Sequence, residues 1–207
     1  MIGSETINDY LSRLASRAPT PGGGAAGALH AAQGAALIAM VARYTTGAKY
    51  AEHEDRSRRI AARADEIIPA TMQVADEDEK AFAAVIAAYG LPRVSPGDRT
   101  ARSAAIQEAT VMAAAPPRRL IELAEEVVEL GQELAEISNP QVISDVAAAC
   151  EAARAAIATA LITLDMNIGA IKDERTQAEF KKEVRRADNA IVLAQAVSDR
   201  VREKVAA

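Results

Sequence analysis

Apolar residues recur with helical spacing from one end of this chain to the other, and no run of alternating β-branched residues competes with them. Clusters of Gly and Pro, rather than strands, punctuate the pattern. Alanine dominates the apolar half of the sequence, aromatic residues make up only 3% of it, and Trp is absent. A core made of such side chains requires backbones to approach closely. Helices meet that demand, because alanine has the highest helix propensity and offers a sheet little to pack. The expected fold is all-α, a bundle of long helices.

The spacing predicts seven helices. Ser4 is a candidate cap for a short one carrying Ile7, Tyr10, Leu11 and Leu14 on one face. Pro19 to Gly24 reads as a loop, and a helix from about Ala25 to Thr46 follows it. A long helical stretch covers about Glu52 to Tyr89, with a kink or break expected one turn before Pro69. Ser95-Pro96-Gly97-Asp98 reads as a turn before a helix from about Arg99 to Ala114. Pro116-Pro117 restarts the chain into a helix reaching Ile137, with Leu120, Leu123, Ala124, Val127, Leu130 and Leu134 inside. Helices over about Gln141–Ile171 and Glu174–Ala206 complete the chain. No repeat, linker or shift in composition divides residues 1–207, so one domain is expected.

Charge narrows the function. A net charge of −5 argues against a general nucleic-acid binder, which needs a basic face, but leaves room for a small anionic ligand met by a local basic cluster. A lone cysteine and the lack of a signal-peptide pattern point to a soluble, cytoplasmic protein. The longest apolar run, Ala25 to Val41, contains His30 and Gln33 and is a poor membrane span. His30 and His53 lack partners at metal spacing, so no metal is expected. Cys150 lies on an apolar stripe as a small core residue.

Asp78 carries the most information. At 100° per residue, Ile67, Thr71, Val74, Phe82, Val85 and Tyr89 fall within about 40° of it, which centres a carboxylate on an apolar stripe. Such a group must be paired, hydrogen-bonded or raised in pKa. Two readings stand: a polar link between helices, or an acid/base facing a pocket. The loop before the second helix is similarly open. Gly22, Gly24 and Gly27 spell G-x-G-x-x-G without the preceding strand that a dinucleotide site requires. What remains is an anion-receptive helix start or a tight turn that brings helices together. On the helix from Gln141, Asp145 and Asn167 share a small, polar face but lie about 33 Å apart on a straight helix. They meet in one site only if the helix breaks or a second subunit contributes.

These positions coincide with motifs. Pro19-Thr20-Pro21-Gly22-Gly23-Gly24-Ala25-Ala26-Gly27, Met40-Val41-Ala42-Arg43 and Gly47-Ala48-Lys49-Tyr50 resemble the N-terminal signatures of the formiminotetrahydrofolate cyclodeaminase / methenyltetrahydrofolate cyclohydrolase family. Asp78-Glu79-Lys80-Ala81-Phe82, Leu91-Pro92, Asn139-Pro140-Gln141-Val142-Ile143-Ser144-Asp145 and Asn167 … Asp173 follow in the family's order. The resemblance implies a helical homodimer acting on a tetrahydrofolate derivative, with neither metal nor redox cofactor. It implies proton transfer by Asp78, with Asp145 second. It also implies substrate contacts at Pro21, Gly22, Gly23, Gly24, Arg43, Lys49, Phe82, Ser144 and Asn167. Thr163-Leu164 stands where the family usually has Asn-Val, and Thr159 matches a frequent glycine. That departure keeps a second reading alive, a non-catalytic folate-binding or assembly protein with the same fold.

Overall fold

The computed structural model describes residues 2–206. Among them are seven α-helices and no strand: α1 (Ile7–Leu14), α2 (Gly23–Tyr44), α3 (Glu54–Tyr89), α4 (Pro96–Met112), α5 (Ala115–Ile137), α6 (Ile143–Ala170) and α7 (Glu174–Ala206). Short 3₁₀ turns cover Ile2–Ser4 and Ala48–His53. The all-α bundle expected from the spacing is what the chain forms. α2 and α6 cross at its centre; α3 packs on α2, α7 on α6, and α5 touches α2, α3, α6 and α7. α2 and α6 are also the two helices long and apolar enough to cross a membrane by length and composition, and here each has much of its apolar length buried within the bundle.

Small residues make the central crossings possible. A Cβ on Gly34 of α2 would lie 2.9 Å from the Ala149 carbonyl oxygen of α6, and one on Gly131 of α5 would lie 2.6 Å from Cys150 Sγ. At Gly34 the obstacle is backbone, which cannot swing aside. Gly34→Ala is therefore expected to cost about 1–3 kcal/mol by overpacking, outweighing the roughly 1 kcal/mol that alanine gains over glycine within a helix. Urea unfolding followed by circular dichroism reads the net sign. Cys150 is fully buried at this crossing, and burial, then the Glu151 charge, pushes its thiol up to about 12. It should stay inert to a thiol reagent in the native protein and react only after unfolding.

Several boundaries differ from expectation for local reasons. Thr6, not Ser4, caps α1: its Oγ1 accepts from Asp9 N at 3.1 Å. Of the face predicted for α1, Tyr10 is buried while Ile7 and Leu11 are exposed, because only one edge of this short helix rests on the bundle. α2 begins at Gly23, so the last two loop glycines form its first turn. α3 runs unbroken through Pro69. Pro69 and Asp65 are both exposed, so the carbonyl that loses its N–H partner faces solvent. Ser95 to Asp98 is not a separate turn but the start of α4, closed by reciprocal bonds in which Asp98 N donates to Ser95 Oγ at 3.0 Å and Ser95 N to Asp98 Oδ2 at 2.9 Å.

The stripe around Asp78 is buried only on one side. Ile67, Thr71 and Val74 are enclosed, but Phe82 and Tyr89 are exposed, because α3 outruns the bundle and little but α4 packs on its last turns. Asp78 stands where the helix leaves the core.

Candidate functional site

A cleft of about 380 Å³ opens at that point. One wall is the Pro19–Gly24 segment; the second is the Asp78–Tyr89 face of α3. Thr110 and Ala113 from the α4–α5 junction and Thr163, Met166, Asn167 and Ala170 from the end of α6 close it. Four separate parts of the sequence thus meet at the start of α2.

The Asp78 carboxylate lies directly over the Gly24 backbone. A Cβ on Gly24 would overlap Asp78 Oδ2 and Cγ and would lie 2.7 Å from Oδ1. Glycine is thus required here by close approach. The first N–H groups of α2 have no intrahelical partner, so the carboxylate sits beside the positive end of this helix. Asp78 is half-buried, and among the described residues no side chain or backbone group hydrogen-bonds its carboxylate. Burial, followed by the neighbouring Glu79 charge, raises its pKa above the ordinary aspartate value.

The other polar groups are mostly engaged. Asn167 Nδ2 donates to the Ala113 carbonyl at 3.0 Å, which leaves Oδ1 as an acceptor. Thr110 Oγ1 donates to Ile106 O at 2.7 Å, and Thr163 Oγ1 to Thr159 O at 3.3 Å, each back along its own helix. The remaining lining is apolar and partly aromatic: Phe82, Val85, Tyr89 and Met166. The cleft offers a carboxyl of raised pKa, one amide oxygen and helix-start N–H donors among flat apolar surfaces. Such a set can receive a planar ligand and move a proton on it. Among the described residues, no three His, Cys, Asp or Glu side chains converge as metal ligands would.

The structure separates the sequence-derived candidates into two groups. Gly22, Gly23, Gly24, Asp78, Phe82 and Asn167 line the cleft, with Pro21 buried just behind it. Arg43, Lys49, Ser144 and Asp145 lie at the opposite end of the bundle. Arg43, 20 residues along α2 from Gly23 and so about 30 Å away, is bonded to Asp65 at 2.5 Å. Lys49 sits over the Tyr50 ring at 5.4 Å. Ser144 and Asp145 are in the first turn of α6, which runs without a break to Ala170 and keeps Asp145 about 33 Å from Asn167. Sequence reasoning missed Thr20, Thr110, Ala113 and Met166. Met166 had a signal in its neighbour Asn167, whereas nothing in the local pattern marks the α4–α5 junction.

Comparisons with known proteins agree with this architecture. The profile of the formiminotransferase-cyclodeaminase family matches residues 6–186. A methenyltetrahydrofolate cyclohydrolase from Methylorubrum extorquens is 36% identical over 206 residues, spanning 99% of this chain and 98% of its own length. The formimidoyltransferase-cyclodeaminase of Rattus norvegicus is 31% identical over 82% of this chain, which spans only 31% of that longer protein. The crystal structure of formiminotetrahydrofolate cyclodeaminase from Thermotoga maritima superposes with a TM-score of 0.88 at 26% identity, covering 99% of this chain and all of that one. A match of this extent in profile, sequence and fold leaves one assignment: the chain belongs to the formiminotransferase-cyclodeaminase family.

Proposed function

We propose that this chain is an enzyme of tetrahydrofolate one-carbon chemistry. It hydrolyses 5,10-methenyl-tetrahydrofolate to 10-formyl-tetrahydrofolate, or closes 5-formimino-tetrahydrofolate to the methenyl form with release of ammonia. The observation that carries the reading is Asp78, an unpaired, half-buried carboxyl of raised pKa held over Gly24 in a cleft with aromatic sides.

Each reaction needs a group that takes up and returns a proton. In hydrolysis, water adds to the cationic carbon between N5 and N10 while its proton passes to a base. The bond from that carbon to N5 then breaks as N5 receives a proton. In cyclodeamination, N10 attacks the formimino carbon, and the amine nitrogen must be protonated to depart as ammonia. Asp78 performs the exchange in both cases, and its ionised form stabilises the methenyl cation. Phe82 and Tyr89 flank the flat ring system, and Asn167 Oδ1 accepts from it. Hydrolysis is favoured, because the cyclohydrolase of Methylorubrum extorquens, at 36% identity, is more similar in sequence to this chain than the cyclodeaminase of Thermotoga maritima, at 26%.

The distant group enters through a second copy of the chain. Arg43, Lys49, Ser144 and Asp145 reach a cleft only if two copies pair with opposite ends together, and exposed Phe82, Ile86, Ile162 and Met166 supply apolar surface for pairing. Sedimentation should give twice the chain mass; a monomer with full activity would remove those four residues from the site.

The function is tested by supplying both folates to the purified protein, following the methenyl chromophore for one and ammonia for the other. Accelerated loss of methenyl absorbance supports hydrolysis, and ammonia release supports cyclodeamination. Tight binding of either folate without turnover would select the non-catalytic reading instead.

A further inference from the structure

The wall of the cleft formed by residues 19–24 runs from the turn after α1 into the first turn of α2, so α2 fixes its far end and α1 its near end. Ile7 and Leu11 of α1 are exposed, so its apolar hold on the core is limited to buried Tyr10 and half-buried Leu14. Polar contacts to α3 add to that hold, and they cluster around Asp78. Ile2 N donates to Asp76 Oδ1 at 3.0 Å. Arg13 Nη2 donates to Glu79 Oε1 at 3.0 Å, and Arg13 Nη1 is bonded to Glu5. Glu79 and Glu5 keep only 24% and 19% side-chain exposure, so this is not a freely solvated surface pair. The backbone of Arg13 also organises the turn that leads to the wall. Its carbonyl accepts from Ser16 N at 3.0 Å and Ser16 Oγ at 2.7 Å, and Ser16 Oγ accepts in turn from Ala18 N.

We infer that Arg13 is a positioning residue of the cleft: its grip on Glu79, one residue past Asp78, fixes the turn after α1 and so places the Pro19–Gly22 wall against α3. Arg13 does not line the cleft and touches no reacting atom. Its influence on turnover passes through the placement of that wall. The inference rests on the proposed folate reaction for its kinetic consequence but not for its structural one.

The wild type, Arg13→Met, Arg13→Lys, Glu79→Gln and the Arg13→Met/Glu79→Gln double variant are compared in methenyl-tetrahydrofolate hydrolysis. Loss of wall placement with Asp78 untouched should raise KM about tenfold in Arg13→Met with little change in kcat. Arg13→Lys, which keeps one charged contact, should recover part of the loss. Because both residues act as one latch, the double variant should be no worse than Arg13→Met alone. A KM within about twofold of wild type in Arg13→Met, or losses that simply add in the double variant, would overturn the inference.

Hydrogen exchange on the same proteins separates this result from failure of the folate reading. The hydrogen-bonded amides of this turn, Ala15, Ser16 and Ala18, should exchange faster in Arg13→Met than in wild type even if the wild type turns over neither folate. Unchanged exchange there would sink the latch on its own. Should Arg13→Met fail to fold, Arg13→Lys carries the kinetic comparison, and Glu79→Gln, whose lost charge also acts on Asp78, is read by hydrogen exchange alone.

Discussion

Asp78→Asn should lower turnover of methenyl-tetrahydrofolate by about 10²–10⁴-fold, the range expected when a general acid/base is removed, while leaving the protein at least as stable as before at neutral pH. The two effects share one cause. Asp78 is half-buried and unpaired, and burial with the Glu79 charge raises its pKa. A carboxyl whose folded pKa lies above its unfolded value contributes stability that is fully present below the unfolded pKa and is lost as pH rises through the folded pKa. The wild type should therefore lose stability as pH rises from about 4, the ordinary aspartate value, through the raised one. Asn at the same position carries no charge to desolvate and should lack that slope. Thermal melts across this range, with turnover measured on the same preparations, check both halves. A variant that retains wild-type turnover would remove Asp78 from the chemistry. A variant that melts far lower would show that the carboxylate is a structural link.

The second large effect is expected at Gly24. Its backbone dihedrals do not require glycine, since Gly47 is the only described residue with positive φ. What requires it is the Asp78 carboxylate, which a methyl group would overlap. Gly24→Ala should therefore turn the carboxylate away from the start of α2 while adding a good helix former. A displacement near 1 Å at a reacting group costs on the order of 100-fold in rate, while alanine in place of glycine favours a helix by up to about 1 kcal/mol. The expected signature is a collapse of kcat with a nearly unchanged melting temperature. Gly169→Ala serves as the control, because a Cβ there meets nothing within 4 Å. Full kcat in Gly24→Ala would mean that the carboxylate does not act from the position it occupies here.

The helices were legible because their evidence is local. Periodicity and the Gly and Pro clusters set α5 and α7 almost to the residue. The errors arose where one local pattern admits two structures. Ser95-Pro96-Gly97-Asp98 suits a turn and a capped helix start equally, and only the reciprocal Ser95–Asp98 bonds decide. At the N-terminus the useful signal was Asp9, three residues after Thr6, whereas Ser4 has Ile7 at that spacing. Periodicity identified the α3 face that carries Asp78 but not what covers it, so Phe82 and Tyr89 looked enclosed although the bundle ends before them. The contact between Asp78 and Gly24 joins residues 54 positions apart in the numbering, and no helical pattern encodes such a contact. The grouping of Gly22–Gly24, Asp78, Phe82 and Asn167 came instead from motif order. The same order placed Arg43, Lys49, Ser144 and Asp145 with them, although one chain holds those four at its far end.

The most direct test of the account is the decay of near-ultraviolet absorbance of 5,10-methenyl-tetrahydrofolate with wild-type protein, with Asp78→Asn and in buffer alone. The account predicts clear acceleration by the wild type and decay close to the buffer rate with Asp78→Asn. Equal acceleration by both proteins would contradict the role of Asp78, and a wild type that accelerates neither this decay nor ammonia release from 5-formimino-tetrahydrofolate would contradict the proposed enzyme.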